Sequence, residues 1–287
     1  MSAAPLPELS MIMVDDVVKA ALLEDFGRAG DITSQATIPA DASATGVIAA
    51  RQEGVLAGID LALSAFRLAD PSLDVTVLAE DGDKLEPGKL IARIHGPARA
   101  LLSAERVALN FLSHLSGIAS ATNAFQRKIS HTNANIVCTR KTTPGLRSFE
   151  KYAVRCGGGM NHRFGLDDAV LIKDNHIAVA GGVIPAIERA RAFVGHLVRI
   201  EVEVDTLDQL KEALSVKPDV VMLDNMGPDL LKQAVEINNG QAVLEASGTI
   251  TLSTVQAIAE SGVDIISSGW ITHSAPILDL GLDIEIG

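Results

Sequence analysis

Apolar and polar positions follow two different patterns along the chain, and these patterns predict two regions. Residues 14–26 carry apolar side chains at helical spacing, which indicates a surface helix, and residues 59–68 predict a second helix. Strands are predicted at residues 45–51, 73–78 and 90–95, and a loop at residues 27–39. Strands mixed with one or two helices in this first region indicate a small α+β domain.

A long helical pattern follows at residues 98–129. Ser116-Gly117 is expected to break it into two helices, because glycine is a poor helix former. Glu105 and Arg106 are adjacent charges on this otherwise apolar segment. From the residues alone, an ion pair at the helix surface is the ordinary interpretation of them.

After residue 135 the pattern becomes a repeat of strand and helix. Strands are predicted to start near residues 136, 169, 197, 219, 241 and 263, with helices at residues 183–193, 207–214, 229–237 and 252–259. Thr206 fits a helix N-cap, Pro228 fits the first helical position, and Thr251 precedes the last helix. Consecutive strand–helix units of this kind imply parallel strands with right-handed crossovers.

Each of these strands is followed by, or ends in, polar or charged residues. In chain order they are Thr139-Arg140-Lys141, Lys173-Asp174-Asn175-His176, Glu201 with Glu203, Asp224-Asn225, Glu245 with Ser247-Gly248, and Ser267-Ser268-Gly269. A barrel gathers all such strand ends into one mouth, whereas an open doubly wound sheet aligns only the ends near its switch point. The pattern therefore favours a (β/α) barrel, complete or partial.

The charge distribution indicates which ligand this mouth would bind. The chain has a net charge of −12, yet residues 135–176 carry seven Lys/Arg against four Asp/Glu, so the rest of the chain sums to −15. A cationic region on an acidic protein favours an anionic small molecule, and the overall acidity argues against a nucleic-acid partner. A solvated basic face is the ordinary alternative, but these charges directly follow apolar strands and flank glycines.

The two cysteines and the hydropathy pattern suggest a compartment. Cys138 and Cys156 are too few for a disulfide framework, and we expect them to be buried, inert thiols in a reducing environment. The sequence shows neither a signal-peptide pattern nor an unbroken apolar run of about 18 residues. A soluble, cytoplasmic protein that does not act at a membrane is therefore expected.

The candidate residues of the mouth form three groups. The cationic group, which suits carboxylates or phosphates, is Arg140, Lys141, His162, Arg163 and Lys173. Glu203 and Asp224 suit ribose hydroxyls, a divalent metal or a developing positive charge. Ser247-Gly248 and Ser268-Gly269 lie where the last strands of such barrels often hold a phosphate. Together the groups describe a phosphorylated sugar that meets an anionic partner.

Longer motifs resemble one known family. They include residues 104–110, Thr139-Arg140-Lys141-Thr142-Thr143-Pro144-Gly145, Asn161-His162-Arg163, Lys173-Asp174-Asn175-His176, Glu201-Val202-Glu203-Val204, Leu223-Asp224-Asn225-Met226 and Glu245-Ala246-Ser247-Gly248. In this order they resemble quinolinate phosphoribosyltransferase, also called nicotinate-nucleotide pyrophosphorylase (carboxylating). The resemblance covers nearly the whole chain.

The resemblance implies a fold and a reaction. The expected fold is α/β: an N-terminal α+β sandwich domain at residues 1–116, onto which the tail at 275–287 packs, and an incomplete (β/α) TIM-like barrel at 117–274. The expected reaction joins quinolinate to phosphoribosyl pyrophosphate and yields nicotinate mononucleotide, pyrophosphate and CO₂ in de novo NAD biosynthesis. It would use Mg²⁺ and no organic cofactor, in a homodimer.

The resemblance also assigns roles to residues. Arg106 would reach the partner subunit's active site; Arg140, His162, Arg163 and Lys173 would hold the quinolinate carboxylates; and Lys141 would also meet the pyrophosphate. Glu203 and Asp224 would bind the ribose hydroxyls and the metal, and Ser247, Gly248 and Gly269 the 5′-phosphate. Thr139, Thr249, Ser267 and Ser268 complete the candidate substrate-binding set, and the candidate catalytic residues are Glu203, Asp224, Lys141 and Lys173.

Two positions depart from the family's pattern. Gly248-Thr249 stands where the family often has Gly-Gly, and Ser267-Ser268-Gly269-Trp270 stands where it often has Ser-Val-Gly-Ala. Backbone donors survive both changes, so they affect details of the phosphate site.

Three other functions fit part of the pattern. A ModD-like paralogous phosphoribosyltransferase would act on another acid. A Schiff-base aldolase would use Lys173 as its nucleophile. A nucleotide-sensing module would bind phosphoribosyl pyrophosphate without turnover, but it would not explain charges on both sides of the ligand.

Overall fold

The computed structural model describes residues 5–285, without the side chain of Glu285. Its helices are α1 (Met11–Phe26), α2 (Ile32–Thr37), α3 (Ile59–Ala69), α4 (Ala98–Ile129), α5 (Arg147–Cys156), α6 (Asp174–Ala180), α7 (Val183–Phe193), α8 (Leu207–Ser215), α9 (Pro228–Asn238), α10 (Val255–Ala259) and α11 (Trp270–His273). Its strands are β1 (Ser43–Ala50), β2 (Gly54–Val55), β3 (Asp74–Val77), β4 (Lys84–Leu85), β5 (Leu90–Pro97), β6 (Asn135–Val137), β7 (Val170–Ile172), β8 (Ile200–Val204), β9 (Val220–Asp224), β10 (Val243–Ser247), β11 (Ile265–Ser267) and β12 (Leu280–Glu285).

The first compact unit is built on an antiparallel sheet. It comprises the chain up to Ala121, Ser148–Gly158 and the residues from Ala275 onward. The strand order is β12-β1-β5-β3, and β2 pairs separately with β4. Helix α1 packs against α3 and buries Val14, Val18 and Leu22, one helical turn apart. An α+β unit was expected here, and the fold confirms it.

The C-terminal strand completes this sheet. β12 runs antiparallel to β1, with Ala50 opposite Leu280 and Thr45 opposite Glu285. The edge of β1 is therefore covered by residues far away in sequence.

Helix α4 is continuous, so the predicted break at Ser116-Gly117 is wrong. Gly117 serves close packing instead, since a Cβ atom there would overlap the carbonyl oxygen of Pro276. The hydroxyl of Ser116 accepts a hydrogen bond of 3.0 Å from the backbone N–H of Ala57. Both residues thus join the helix to its own unit without bending it.

The predicted loop at residues 27–39 contains helix α2, which corrects that prediction. Asp31 is its N-cap, and its carboxylate accepts the backbone N–H of Ser34 at 2.9 Å. The cap satisfies a donor that a helix of six residues could not otherwise pair.

Helix α5 groups with the first unit, although the predicted division at residues 116 and 274 assigned it to the barrel. Its buried side chains account for this. Glu150 is fully buried and lies 2.8 Å from His114 Nε2, and the Tyr152 hydroxyl donates to Asp81 at 2.8 Å. The two compact units divide at Ala121, within α4.

The second unit, Thr122–Arg147 with Gly159–Ser274, contains six parallel strands in the order β6-β11-β10-β9-β8-β7. Within the described residues β6 and β7 do not pair, so the barrel is incomplete, as expected. Thr206 caps α8 by accepting the N–H of Gln209, and Pro228 begins α9, both as predicted. The helix predicted at residues 252–259 corresponds to α10, which is shorter than predicted and begins after Thr254.

Both cysteines are buried thiols. Burial raises the pKa of the Cys156 thiol to about 12, so this thiol stays protonated. Of the helices between residues 5 and 285, none is both long and apolar enough to cross a membrane.

Candidate active site

The carboxyl ends of the six parallel strands surround a cavity of about 620 Å³. Twelve of the residues predicted from sequence line it, namely Thr139, Arg140, Lys141, His162, Arg163, Lys173, Glu203, Asp224, Ser247, Gly248, Thr249 and Ser267. The expected mouth of the barrel is therefore a single concave site.

Two cation-bearing loops form one side of the cavity. After β6, the Thr139 hydroxyl accepts the backbone N–H of Lys141 at 3.1 Å. Arg147 then joins this loop to the next one, because it donates to the Thr142 hydroxyl at 3.0 Å and to the carbonyl of Phe164 at 3.1 Å. Arg147 thus holds together the two loops that carry Arg140 and Arg163.

Arg140 and Arg163 form the cationic centre of this side. The Nε atom of each is buried and has no hydrogen-bond partner among residues 5–285. Arg163 donates to the carbonyl of Ala169 at 3.0 Å, and both burial and the nearby charge of Arg140 lower its pKa. Two guanidinium groups that disfavour each other's charge would be stabilised by an anion between them.

Lys173 and Glu203 connect this cationic side to the carboxylates. Lys173 follows β7, and its backbone N–H donates to His176 Nδ1 at 2.9 Å at the start of α6. Its Nζ atom lies 2.7 Å from Glu203 Oε2, on the neighbouring strand β8. Lys173 is half exposed, whereas Glu203 is largely buried.

The loops after β9 and β10 approach each other closely on the opposite side. Asn225 has a positive φ of 53°, donates its backbone N–H to the carbonyl of Ser247 at 3.0 Å, and donates its amide to Asp224 at 2.6 Å. Gly248 has a φ of 127°, and a Cβ there would lie 2.5 Å from Asn225 Oδ1. Only glycine fits this position without displacing Asn225.

Three ionisable groups meet at the floor of the cavity. His162 Nε2 lies 2.8 Å from Glu201 Oε2 and 3.8 Å from Glu245 Oε2, and both carboxyl groups are buried. Burial, and then the charge of Glu201, raise the pKa of Glu245 to about 7. A proton is therefore available in this group near neutral pH.

Three predicted residues do not line the cavity. Ser268 is buried and donates its backbone N–H to the carbonyl of Val137. Gly269 packs beneath Lys141, because a Cβ there would lie 2.9 Å from Lys141 Cδ. Arg106 lies on α4 in the first unit, exposed and without a hydrogen-bond or ion-pair partner among residues 5–285.

Four lining residues were outside the predicted set, namely Leu171, Met222, Asn225 and Glu245. The position of Glu245 in the lining could have been predicted from sequence, since it lies two residues before Ser247 on the same strand and therefore faces the same side. Its burial beside His162 depends on contacts between elements far apart in the sequence.

The donor set at Glu203 and Asp224 fits Mg²⁺. Both carboxylates line the cavity from adjacent strands, and Mg²⁺ commonly binds through one or two carboxylates together with substrate phosphates. In the described part of the chain, the potential ligands of His162, Glu201 and Glu245 also lie within 4.8 Å of one another. That buried group includes an imidazole, which suits Mg²⁺ less well than oxygen donors.

Comparison with known proteins identifies the family. The model of the quinolinate phosphoribosyl transferase N-terminal domain matches residues 31–116, and that of the C-terminal domain matches residues 118–283. This chain belongs to the quinolinate phosphoribosyltransferase family. A probable nicotinate-nucleotide pyrophosphorylase (carboxylating) of Bacillus subtilis is 46% identical to it over 264 residues, which are 92% of this chain and 91% of that protein.

Other relatives span the chain in the same way. The nicotinate-nucleotide pyrophosphorylase (carboxylating) of Mycobacterium leprae is 43% identical over 94% of this chain and 96% of its own length. The solved structure of the nicotinate-nucleotide pyrophosphorylase from Francisella tularensis has a TM-score of 0.93 and 41% identity, covering 97% of this chain and 98% of that one. The quinolinate phosphoribosyltransferase fold thus extends over both units.

One departure from the family pattern has a local explanation. Trp270 begins α11, and its ring centroid lies 5.9 Å from that of Phe125 in α4, within the same unit. The large side chain therefore packs on an aromatic neighbour. Thr249, the other departure, lines the cavity.

Proposed function

We propose that this chain transfers the phosphoribosyl group of phosphoribosyl pyrophosphate to quinolinate, with loss of CO₂, to give nicotinate mononucleotide and pyrophosphate. This is a glycosyltransferase reaction of NAD biosynthesis. The observation that carries the proposal is one cavity with four cationic side chains and His162 on one side and two carboxylates on adjacent strands, in a member of this family.

The cationic side is assigned to quinolinate. Arg140 and Arg163 have buried, unpaired Nε atoms, and a carboxylate can accept two parallel hydrogen bonds from such a group. Lys173 extends the same side, and we assign Lys141 to quinolinate and pyrophosphate together. His162 also lines the cavity, with both ring nitrogens hydrogen-bonded inside the protein. A dicarboxylate offers two anionic groups to this set, whereas a monocarboxylate offers one.

The opposite side is assigned to the phosphorylated sugar. Glu203 and Asp224 are assigned to the ribose hydroxyls and to Mg²⁺, which would neutralise charge on the departing pyrophosphate. Ser247, Gly248 and Thr249 line the cavity where the 5′-phosphate is expected, with Ser267 beside them. We assign Ser268 and Gly269 to support of this phosphate site from beneath.

The arrangement explains the chemistry. Binding both substrates in one cavity holds the pyridine nitrogen against ribose C1, which replaces a rare bimolecular encounter by a fixed geometry. Glu203 and Asp224 stabilise the positive charge that develops at C1 as pyrophosphate leaves. The resulting pyridinium ring then accepts the electrons of the 2-carboxylate bond, so no organic cofactor is required.

We also propose a homodimer in which Arg106 completes the active site of the partner subunit. Arg106 is an exposed arginine without a partner among residues 5–285, on a helix that otherwise buries apolar residues. A location in the cytoplasm remains a prediction from sequence.

The aldolase alternative requires Lys173 as an uncharged nucleophile. In the structure its Nζ atom is instead paired with Glu203 Oε2 at 2.7 Å. The position of Lys173 therefore supports anion binding. A ModD-like paralogue would have the same architecture and a different acceptor acid, so only substrate tests separate it.

The test offers competing acceptors to the purified protein. With phosphoribosyl pyrophosphate and Mg²⁺, quinolinate is expected to give nicotinate mononucleotide, while nicotinate and nicotinamide give no nucleotide. Turnover of another acid in place of quinolinate would support the paralogue. Borohydride trapping of a carbonyl substrate on Lys173 would support the aldolase, and folded protein that turns over none of these would contradict the proposal.

A further inference from the structure

Glu245 is a buried carboxyl group that nevertheless lines the cavity. Its side chain is 3% exposed, and its Oε1 atom has no hydrogen-bond partner in the described part of the chain. On β10 it lies opposite Met222 of β9, and Glu203 of β8 also lies opposite Met222. Glu245 and Glu203 therefore occupy the same level of the barrel, two strands apart, or roughly 10 Å at the usual strand spacing.

The contacts of His162 indicate that Glu245, rather than Glu201, is the carboxyl group that carries a proton. The backbone N–H of Arg163 donates to His162 Nδ1 at 2.8 Å, so His162 carries its ring proton on Nε2 and donates it to Glu201 at 2.8 Å. Glu245 lies farther from Nε2, at 3.8 Å. Two buried carboxylates this close to each other and to one neutral imidazole repel each other, and protonation of one of them removes that repulsion.

The proposed reaction needs such a proton. Loss of CO₂ leaves an electron pair on C2 of the pyridinium ring, and quinolinate as a dianion brings no acidic hydrogen. C2 is bonded to the ring nitrogen that joins ribose C1, and Glu203 is assigned to the ribose. A proton donor that lines the cavity at the level of Glu203 therefore faces the region assigned to C2.

We propose that Glu245 is the catalytic acid that protonates C2 when the 2-carboxylate leaves. In this step the bond between C2 and the carboxylate carbon breaks, and its electron pair stays on C2. The Glu245 O–H bond then breaks, a C2–H bond forms, and Glu245 is left as a carboxylate. Water reloads the proton after the product departs. This role rests on the proposed function.

Other donors in the cavity suit the step less well. Lys173 is paired with Glu203 at 2.7 Å here and is assigned to a quinolinate carboxylate when substrate is bound. Arginine does not release its proton in proteins. A neutral carboxylic acid held in a buried site is an established solution for proton donation near neutral pH.

The pH dependence of kcat tests the role. The groups that face Glu245 are Glu201 on β8, His162 in the loop before β7, and the Ser267 hydroxyl on β11, while Met222 on β9 is uncharged. Since the pKa of Glu245 is about 7 and only its protonated form can donate, wild-type kcat is expected to fall on the alkaline side of that value. A wild-type profile without this alkaline decline would overturn the assignment.

Glu245→Gln removes the acid and preserves its shape. We expect kcat to fall about 100-fold, with a quinolinate KM within a few-fold of wild type and no alkaline decline. In a single turnover, pyrophosphate release should precede the release of labelled CO₂. The matched control is Glu212→Gln, the same change at an exposed position of α8, which should leave kcat unchanged. Wild-type kcat in Glu245→Gln would refute the role.

If Glu245→Gln does not fold, Ser267→Ala provides a second test of the role of Glu245. The Ser267 hydroxyl favours the charged form of Glu245, so Ser267→Ala should raise the pKa of Glu245 and move the alkaline decline to higher pH. An unmoved decline would overturn the role. Wild-type protein that makes no nicotinate mononucleotide would instead refute the proposed function itself, so the two failures are distinguishable.

Discussion

Lys173 Nζ lies 2.7 Å from Glu203 Oε2, so an ion pair across neighbouring strands joins the two sides of the cavity. The two residues are assigned to different substrates, Lys173 to quinolinate and Glu203 to the ribose. Binding of both substrates would therefore exchange this internal pair for two contacts with ligands. The pair keeps both side chains ordered at the place where the substrates meet.

Removal of Lys173 should weaken quinolinate binding. Lys173→Ala is expected to raise the quinolinate KM by about 10- to 100-fold, since a hydrogen bond to a charged group contributes about 1.5–3 kcal/mol. Steady-state kinetics with quinolinate varied would measure it. Lys232→Ala, at an exposed position of α9, is the control and should leave the KM unchanged. Equal KM values in the two variants would contradict the assignment.

Turnover should depend on Mg²⁺ bound through Glu203 and Asp224. Chelation with EDTA is expected to abolish product formation, and added Mg²⁺ to restore it. Asp224→Asn should then need a higher Mg²⁺ concentration for half-maximal rate, by about 10-fold or more, because the anionic oxygen ligand is lost. A Mg²⁺ titration of the rate would check this, and an unaltered half-maximal concentration would exclude Asp224 as a ligand.

The close approach of Gly248 to Asn225 predicts a strict requirement for glycine. Gly248→Ala would place a Cβ 2.5 Å from Asn225 Oδ1 at a φ of 127°, so we expect a loss of about 2–4 kcal/mol in unfolding free energy and a raised KM for phosphoribosyl pyrophosphate. Gly240→Ala is the matched control, since Gly240 also has a positive φ but open space around it. It should cost about 1 kcal/mol and spare the KM. Similar effects in both variants would show that the contact with Asn225 is unimportant.

The buried pair of Tyr152 and Asp81 predicts a pH-dependent stability effect in the first unit. The Tyr152 hydroxyl donates to Asp81 Oδ2 at 2.8 Å, and burial raises the pKa of Asp81. Tyr152→Phe should destabilise the protein by about 1–3 kcal/mol by leaving this oxygen unpaired.

The sign of the pH effect follows from the raised pKa. The hydroxyl favours the charged carboxylate, so its removal raises the pKa of Asp81 further. A carboxyl group with a raised folded-state pKa contributes its stability below the unfolded pKa and loses it as pH rises through the folded pKa. The cost of Tyr152→Phe should therefore be larger at neutral than at acidic pH. Urea unfolding at both values would test this, and equal costs would contradict it.

Subunit mixing tests the position of Arg106. Arg106→Ala and Glu203→Gln should each be nearly inactive as pure proteins. If Arg106 acts in the partner's site, a mixed dimer contains one intact site, and an equal mixture should recover roughly a quarter of wild-type activity. A mixture as inactive as its parents, with subunit exchange demonstrated, would mean that Arg106 acts within its own subunit or not at all.

Much of the architecture was predictable because local signals agreed with the fold. Thr206 and Pro228 mark helix starts that the structure confirms, and polar residues after each apolar strand located the cavity. Gly117 misled the prediction, since glycine is ambiguous in sequence. It indicates a helix break or a close contact, and here the contact is with Pro276, far away along the chain.

The remaining features depend on register and burial. Asp31 and Ser34 signal a short helix, yet glycines beside them favoured a loop. Glu245 was visible as a residue of the fifth barrel strand, but its proximity to His162 and Glu201 requires three separate elements to be in place. Long-range packing of this kind leaves no pattern within one segment.

The transfer of phosphoribose to quinolinate with loss of CO₂ is tested most directly by measuring pyrophosphate and CO₂ in one reaction. Quinolinate labelled in its 2-carboxylate is incubated with the protein, phosphoribosyl pyrophosphate and Mg²⁺. Equal amounts of pyrophosphate, labelled CO₂ and nicotinate mononucleotide are expected, all abolished when quinolinate is omitted. Folded protein that releases no pyrophosphate with quinolinate, or releases pyrophosphate without CO₂, would contradict it.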